Sequence, residues 1–150
     1  MLRSQVCVDA NVVVALVTAE RYSRAAFALW QELTRKDRQP VAPLLLRYEV
    51  TSTLHHKIVR GAMSSEDTGQ ALREVLAFDI HYLDPPGLSE RAFELAARFQ
   101  RPAAYDAHYL ALADHLNCPF WTADERLYNA ICADFPHIHW LGDHQLEETS

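Results

Sequence analysis

The sequence predicts an α/β fold: a mostly parallel sheet with helices on both faces. Three observations predict it. Strand-like and helix-like segments alternate along almost the whole chain. The strand-like segments are short and apolar, as in SQVCV at 4–8, which is how strands covered on both faces read. Of 150 residues, 49% are hydrophobic and 23% charged, a globular balance that argues against a disordered or fibrous chain.

Each element has its own signal. The strand at 4–8 is β-branched, and residues 11–17 begin a helix. Residues 22–36 carry Ala26, Leu29, Trp30 and Leu33 as a helical stripe. QPVAP (39–43) is a short strand ended by Pro43, whose fixed φ suits a first helical turn. Leu46, Val50, Leu54 and Ile58 then repeat at spacing four up to Gly61, a natural stop. Ser64 with Asp67 three residues later opens a helix over 64–78. DIHYL (79–83) alternates as a strand, and DPPG breaks it. Helices follow over 88–100 and 102–117, the second with Asn117 as a left-handed cap. CPFWT (118–122) is a strand, 124–135 a helix and HIHWL (137–141) a last strand, before a polar tail expected to be loose. No repeat or linker divides the chain, so a single domain over 1–150 is expected, with its core at about 4–141.

Composition narrows the functional classes. No apolar run reaches the ~18 residues of a membrane span. Arg3 followed by Val6 to Val17 loosely resembles a signal peptide, but Asp9 and Asn11 interrupt it and no small-residue cleavage site follows, so it reads as part of the fold. Cys7, Cys118 and Cys132 are odd in number and form no CxxC pair, which disfavours a disulfide framework and points to free thiols in a reducing cytoplasm. The net charge of −6 does not advertise nucleic-acid binding.

In parallel sheets, ligands bind beyond the carboxyl ends of strands, at a topological switch point. Asp9 ends the first strand inside an otherwise apolar run, and Asp124 follows the strand at 118–122. Glu49 borders the apolar stripe of its helix, and Asp106 faces inward in the first turn of its own, where the helix dipole favours an anion. Each has a structural reading: Asp124 as an N-cap, Glu49 as a solvated edge, Asp106 as a helix-start carboxylate. Asp84, in DPPG, reads as turn chemistry. If Asp9, Glu49, Asp106 and Asp124 converge, each pair ~4 Å apart would cost about 4 kcal/mol at an effective dielectric of ~20. A hard divalent cation is the simple remedy, and all-oxygen donors select Mg²⁺ or Mn²⁺ over zinc. Asn11 and Thr122 could orient these ligands or a water. The reaction class that follows is phosphodiester hydrolysis.

Four segments, VCVDANVVVALV, LLLRYEVTSTL, AAYDAHYLALA and PFWTADERL, together resemble the PIN domain family, and most of all its compact VapC-type toxin ribonucleases. The resemblance covers roughly 4–141. It implies a three-layer α/β/α fold with a five-stranded parallel sheet in the order 3-2-1-4-5, which would bring Asp9 and Asp124 together. It implies a metal-dependent endoribonuclease, the toxin of a type II toxin–antitoxin pair. Asp9, Glu49 and Asp106 would be the main ligands for Mg²⁺ (or Mn²⁺), and Asp124 would support a second ion or a water. The implied partners are RNA, a cognate antitoxin whose tail enters the acidic site, and a second copy in a homodimer. Asn11 stands where many relatives have Ser or Thr, a departure that touches the fine geometry.

With the four acids set aside, fourteen basic residues face sixteen acids, a near-neutral balance of −2. Arg21, Arg24 and Arg47 are candidates for local attraction of a phosphate backbone. Rival readings are weaker. His137 and His139 share a strand face and His55 adjoins His56, but a closed zinc site needs about four convergent ligands. A phosphoacceptor receiver would want a lysine after its last strand, and no lysine follows Lys57. An aspartate-nucleophile phosphatase would want Asp at position 11, where Asn stands. The serious alternative is a catalytically inactive PIN scaffold that binds RNA or protein.

Overall fold

The computed structural model describes residues 3–144. Five parallel strands form one sheet in the order β3-β2-β1-β4-β5, with β1 Gln5–Val8, β2 Gln39–Ala42, β3 His81–Tyr82, β4 Phe120–Thr122 and β5 Ile138–Trp140. In β1, Val6, Cys7 and Val8 are all buried, so this central strand is covered on both faces, the reason its sequence is continuously apolar. Cys7 pairs with Val41 on one side and Phe120 on the other. The chain leaves β1 towards β2 and β3, then crosses back to β4 and β5. The switch point therefore lies between β1 and β4.

Among the described residues seven helices surround the sheet: α1 Ala10–Val17, α2 Ser23–Arg35, α3 Leu45–Val59, α4 Ser65–Ala77, α5 Leu88–Arg98, α6 Tyr105–Leu116 and α7 Glu125–Ile131. They form two groups. α1 packs against α2, α3 and α4, while α5 pairs with α6, which lies on β1. The local signals act as read. Ser64 accepts from the Asp67 N–H at 3.0 Å, Gly61 ends α3 at φ +71°, and Asn117 caps α6 at φ +50°. No helix among the described residues is long and apolar enough to cross a membrane. Cys7, Cys118 and Cys132 are free thiols, the first two buried.

Several boundaries differ from the sequence reading. β3 spans two residues, not five. The Gln39 N–H donates to the Ser4 carbonyl, so residues 39 and 41 turn their amides to β1, and the amide of position 40 faces β3. Pro40 has no N–H to give there, and β3 begins only opposite Val41. α6 starts at Tyr105 rather than at 102, with 102–104 as a bend. The last strand covers Ile138–Trp140 rather than 137–141, and the start of the tail is not loose: Gly142 and Asp143 continue a 3-10 turn from the buried Leu141, whereas 145–150 lie outside the described residues. The 3-2-1-4-5 order also sets this fold apart from receiver domains, whose order is 2-1-3-4-5.

Candidate active site

Asp9 is the residue between β1 and α1, in extended conformation at φ −77°. Its N–H donates to the Trp121 carbonyl at 3.0 Å, which locks it against β4. Its carboxylate does not cap α1. Instead Oδ2 accepts from the Thr122 hydroxyl at 2.9 Å. Thr122 is fully buried, and its Oγ1 also accepts from the Asp124 N–H at 3.0 Å and from Asn11 Nδ2 at 3.3 Å. The Asn11 side-chain Oδ1 accepts from the Ala123 N–H at 2.9 Å. Asn11 and Thr122 thus clasp the β1–α1 and β4–α7 junctions together.

Asp124 is the N-cap of α7 and also faces the pocket. Oδ1 accepts from the Leu127 N–H at 3.1 Å and caps α7, while the residue lines the pocket beyond β1. Glu49, in the second turn of α3, accepts from the Tyr109 hydroxyl at 2.6 Å. Asp106 sits in the first turn of α6 with Arg101 Nη2 3.5 Å from its Oδ2. Asp9, Glu49, Asp106 and Asp124, from four separate segments, line one pocket of about 180 Å³. Asp84 is not among its lining residues.

The electrostatics of the pocket are those of crowded carboxylates. Burial, then the charges of Asp106 and Glu49, push the Asp9 carboxyl up to about 8, against the lowering bond from Thr122. Glu49 is raised by burial and by Asp106, with the Tyr109 bond opposing. Asp106 is raised by burial and Asp124, with Arg101 opposing. Burial and the Asp9 and Glu49 charges raise the Tyr109 phenol, so it stays protonated and remains a donor.

The donor set is all oxygen and its charges are mutually destabilising, which suits a hard divalent cation. The ring is nevertheless open: among the described residues no three His, Cys, Asp or Glu side chains stand close enough together to hold a metal ion. Glu49 accepts from Tyr109, and Asp106 lies beside Arg101.

Three participants were not legible beforehand. Glu20 is a fifth acid on the pocket wall, paired at 2.7 Å with Lys57. Arg101 reaches Asp106 from outside its motif. Tyr109 supplies the proton that holds Glu49. Of these only Tyr109 left a trace in the sequence, as the apolar-face neighbour three residues after Asp106. The arginines singled out for phosphate attraction lie elsewhere: Arg21 stacks over Tyr22 at 5.1 Å and Arg47 over Tyr82 at 5.9 Å, and neither they nor Arg24 line the pocket.

A fully parallel 3-2-1-4-5 sheet with an acid-lined pocket at its switch point defines a class of α/β proteins that place carboxylates where the strand order reverses. Residues 6–131 match the family profile described as PIN domain, and the chain belongs to that family. It is 35% identical over 94 residues to a VapC ribonuclease of Mycobacterium bovis and to ribonuclease VapC9 of Mycobacterium tuberculosis, covering 63% of this chain and 72% of each relative. Among solved structures it is similar to the sarcin-ricin loop cleaving toxin VapC20 of Mycobacterium tuberculosis, with a TM-score of 0.65 at 17% identity over 87% of this chain and 95% of that one. It is also similar to a Pyrobaculum aerophilum protein, with a TM-score of 0.64 at 22% identity over 86% and 87% of the two chains. A third likeness is to VapBC2 of Rickettsia felis bound to a fragment of promoter DNA, with a TM-score of 0.62 at 10% identity over 91% and 96%. At these identities the structural likenesses establish the fold.

Proposed function

We propose that this chain is a metal-dependent endoribonuclease and the toxin of a toxin–antitoxin pair. The observation that carries the reading is the meeting of Asp9, Glu49, Asp106 and Asp124 in one pocket at the switch point. Membership of the PIN family and the similarity to VapC ribonucleases support it. The Rickettsia felis likeness, a VapBC2 assembly, supports a partner protein for this chain as well.

Asp9, Glu49 and Asp106 would hold Mg²⁺ or Mn²⁺, with Asp124 supporting a second ion or a water. When bound, such an ion supplies an activated water and neutralises charge on the phosphoryl group. The chain does the rest. Thr122 fixes one oxygen of Asp9 by donation, and Asn11 fixes the loop that carries Thr122. Tyr109 orients Glu49, and Arg101 balances part of the charge of Asp106. The buried, paired strands β1 and β4 hold the backbone that carries Asp9 and Thr122.

The test is incubation of purified protein with RNA and Mg²⁺ or Mn²⁺, beside Asp9→Asn and Asp106→Asn. Metal-dependent cleavage lost in both variants supports the enzyme. RNA bound but not cut supports the inactive scaffold instead, and equal cutting by all three points to a contaminant. Millimolar Mg²⁺ should also raise the melting temperature by binding the native state, and a melt unchanged by Mg²⁺ and Mn²⁺ would count against an assembled metal site.

A further inference from the structure

We infer that Lys57, held in the free protein by Glu20 at the pocket wall, is a phosphate-contact residue that exchanges Glu20 for the RNA backbone next to the cleaved bond. This rests on the ribonuclease reading above.

Glu49, Thr53 and Lys57 follow one another at spacing four along α3, so they share one helix face. Glu49 and Thr53 line the acid pocket, and Lys57 continues that line away from the metal-binding acids. Lys57 Nζ lies 2.7 Å from Glu20 Oε1, and Glu20 lines the same pocket. Glu20 is set in a braced loop. Its N–H donates to Ser23 Oγ at 2.8 Å, and Ser23 Oγ donates to the Thr18 carbonyl at 2.8 Å. These bonds brace the Glu20 backbone, and Thr18 Oγ1 lies 3.5 Å from Glu20 Oε1, so the carboxylate is held within its own loop while Lys57 reaches it along a four-carbon stem.

The pocket contains five carboxylates, and among the described residues only Lys57 and Arg101 pair with them. Arg101 pairs with Asp106, one of the proposed metal ligands. Lys57 pairs with Glu20, which is not among them, so exchanging that partner leaves the four proposed ligands undisturbed. Its side chain is 12% exposed, so its charge is only weakly screened by solvent. An ammonium is a compact point charge with three donors, suited to trading one oxyanion for another. In a chain of net charge −6, such a local cation offsets part of the repulsion between the acidic pocket and an RNA backbone.

The two members of the pair then have opposite effects. Lys57→Ala removes the phosphate contact, while Glu20→Gln removes the competitor for it. The experiment measures KM and kcat for cleavage of a fluorophore-labelled single-stranded RNA across a NaCl series at fixed Mg²⁺, with a thermal melt of each variant. We expect Lys57→Ala to raise KM about tenfold, more than it lowers kcat, and to flatten the slope of log KM against log salt by about one unit. Lys57→Arg should retain the slope, and Glu20→Gln should lower KM. A merely structural pair would move the melts of both variants and leave the salt slope alone. The inference fails if Lys57→Ala leaves KM and slope unchanged, or if Glu20→Gln raises KM in the same way as Lys57→Ala. Should Lys57→Ala fail to fold, Lys57→Gln read for the same salt slope and the sign of the Glu20→Gln effect still decide. Wild-type protein that cuts no RNA overturns the ribonuclease reading and this inference together, whereas a cutting wild type with an inert Lys57 overturns only the inference.

Discussion

Thr122 donates its hydroxyl to Asp9 across the seam between β1 and β4, with Oγ1 2.9 Å from Oδ2. The direction of this bond is fixed, because the same oxygen already accepts from the Asp124 N–H and from Asn11 Nδ2. A single buried hydroxyl thus ties together three site residues from two chain segments 113 positions apart. Thr122→Val keeps the shape and removes the donor, leaving the Asp9 carboxylate and the Asp124 N–H unpaired. A loss of about 1–3 kcal/mol in urea unfolding is expected, with reduced cleavage. Thr122→Ser should restore both, and a valine variant as stable and active as wild type would remove Thr122 from the site.

The raised Asp9 carboxyl makes the metal-free protein less stable as pH rises. Below the unfolded value of 3.8 the group is protonated in both states. Between there and about 8 the native state holds the extra proton, so stability falls with increasing pH, at up to about 1.4 kcal/mol per unit. Above about 8 the contribution levels off. Asp9→Asn should abolish this component. Subtracting the variant's stability–pH curve from that of wild type, both in EDTA, isolates it, and parallel curves from pH 4 to 8 would contradict a raised Asp9.

Tyr109 stays protonated and holds Glu49 at 2.6 Å, so it orients one of the proposed ligands. Tyr109→Phe keeps the ring stacked on Phe120, whose centroid lies 5.7 Å away, and removes only the hydroxyl. The expected result is a fall of about tenfold in Mg²⁺ affinity, read from the Mg²⁺ dependence of the melting temperature or of cleavage. An unchanged Mg²⁺ midpoint would show that Glu49 needs no such support.

Gly142 lies in the 3-10 turn after β5, where an added Cβ would run into the Trp140 ring. The ring is stacked on Tyr128 and meets Tyr22 edge-on, so it has little room to retreat. Gly142→Ala should therefore cost about 1–3 kcal/mol in urea denaturation. A neutral result would mean that this turn contributes nothing to the packing around β5.

Much of this protein could be read from local pattern, because local pattern is what hydrophobic periodicity and capping encode. The continuous apolar run at Val6, Cys7 and Val8 announced a strand buried on both faces. Ser64, Gly61 and Asn117 marked helix ends by their own chemistry. The four acids stood out because a carboxylate in apolar surroundings needs a partner. β3 was read too long because its length depends on Pro40 in another strand, and the turn at Leu141–Asp143 was missed because only Trp140 explains its glycine.

What the sequence by itself determined is the alternation of strands and helices and the candidacy of Asp9, Glu49, Asp106 and Asp124. Each follows from residues within a few positions of one another. Only the tertiary structure decided how those acids are balanced: Thr122 on Asp9, Tyr109 on Glu49, Arg101 beside Asp106 and Lys57 on Glu20. Except for Arg101 and Asp106, five positions apart, these partners are separated by tens of residues along the chain, and even for that pair no pattern in the sequence signals the contact. Hydrogen bonds and ion pairs act over a few ångströms of space, and which groups come that close is settled by the packing of the whole sheet.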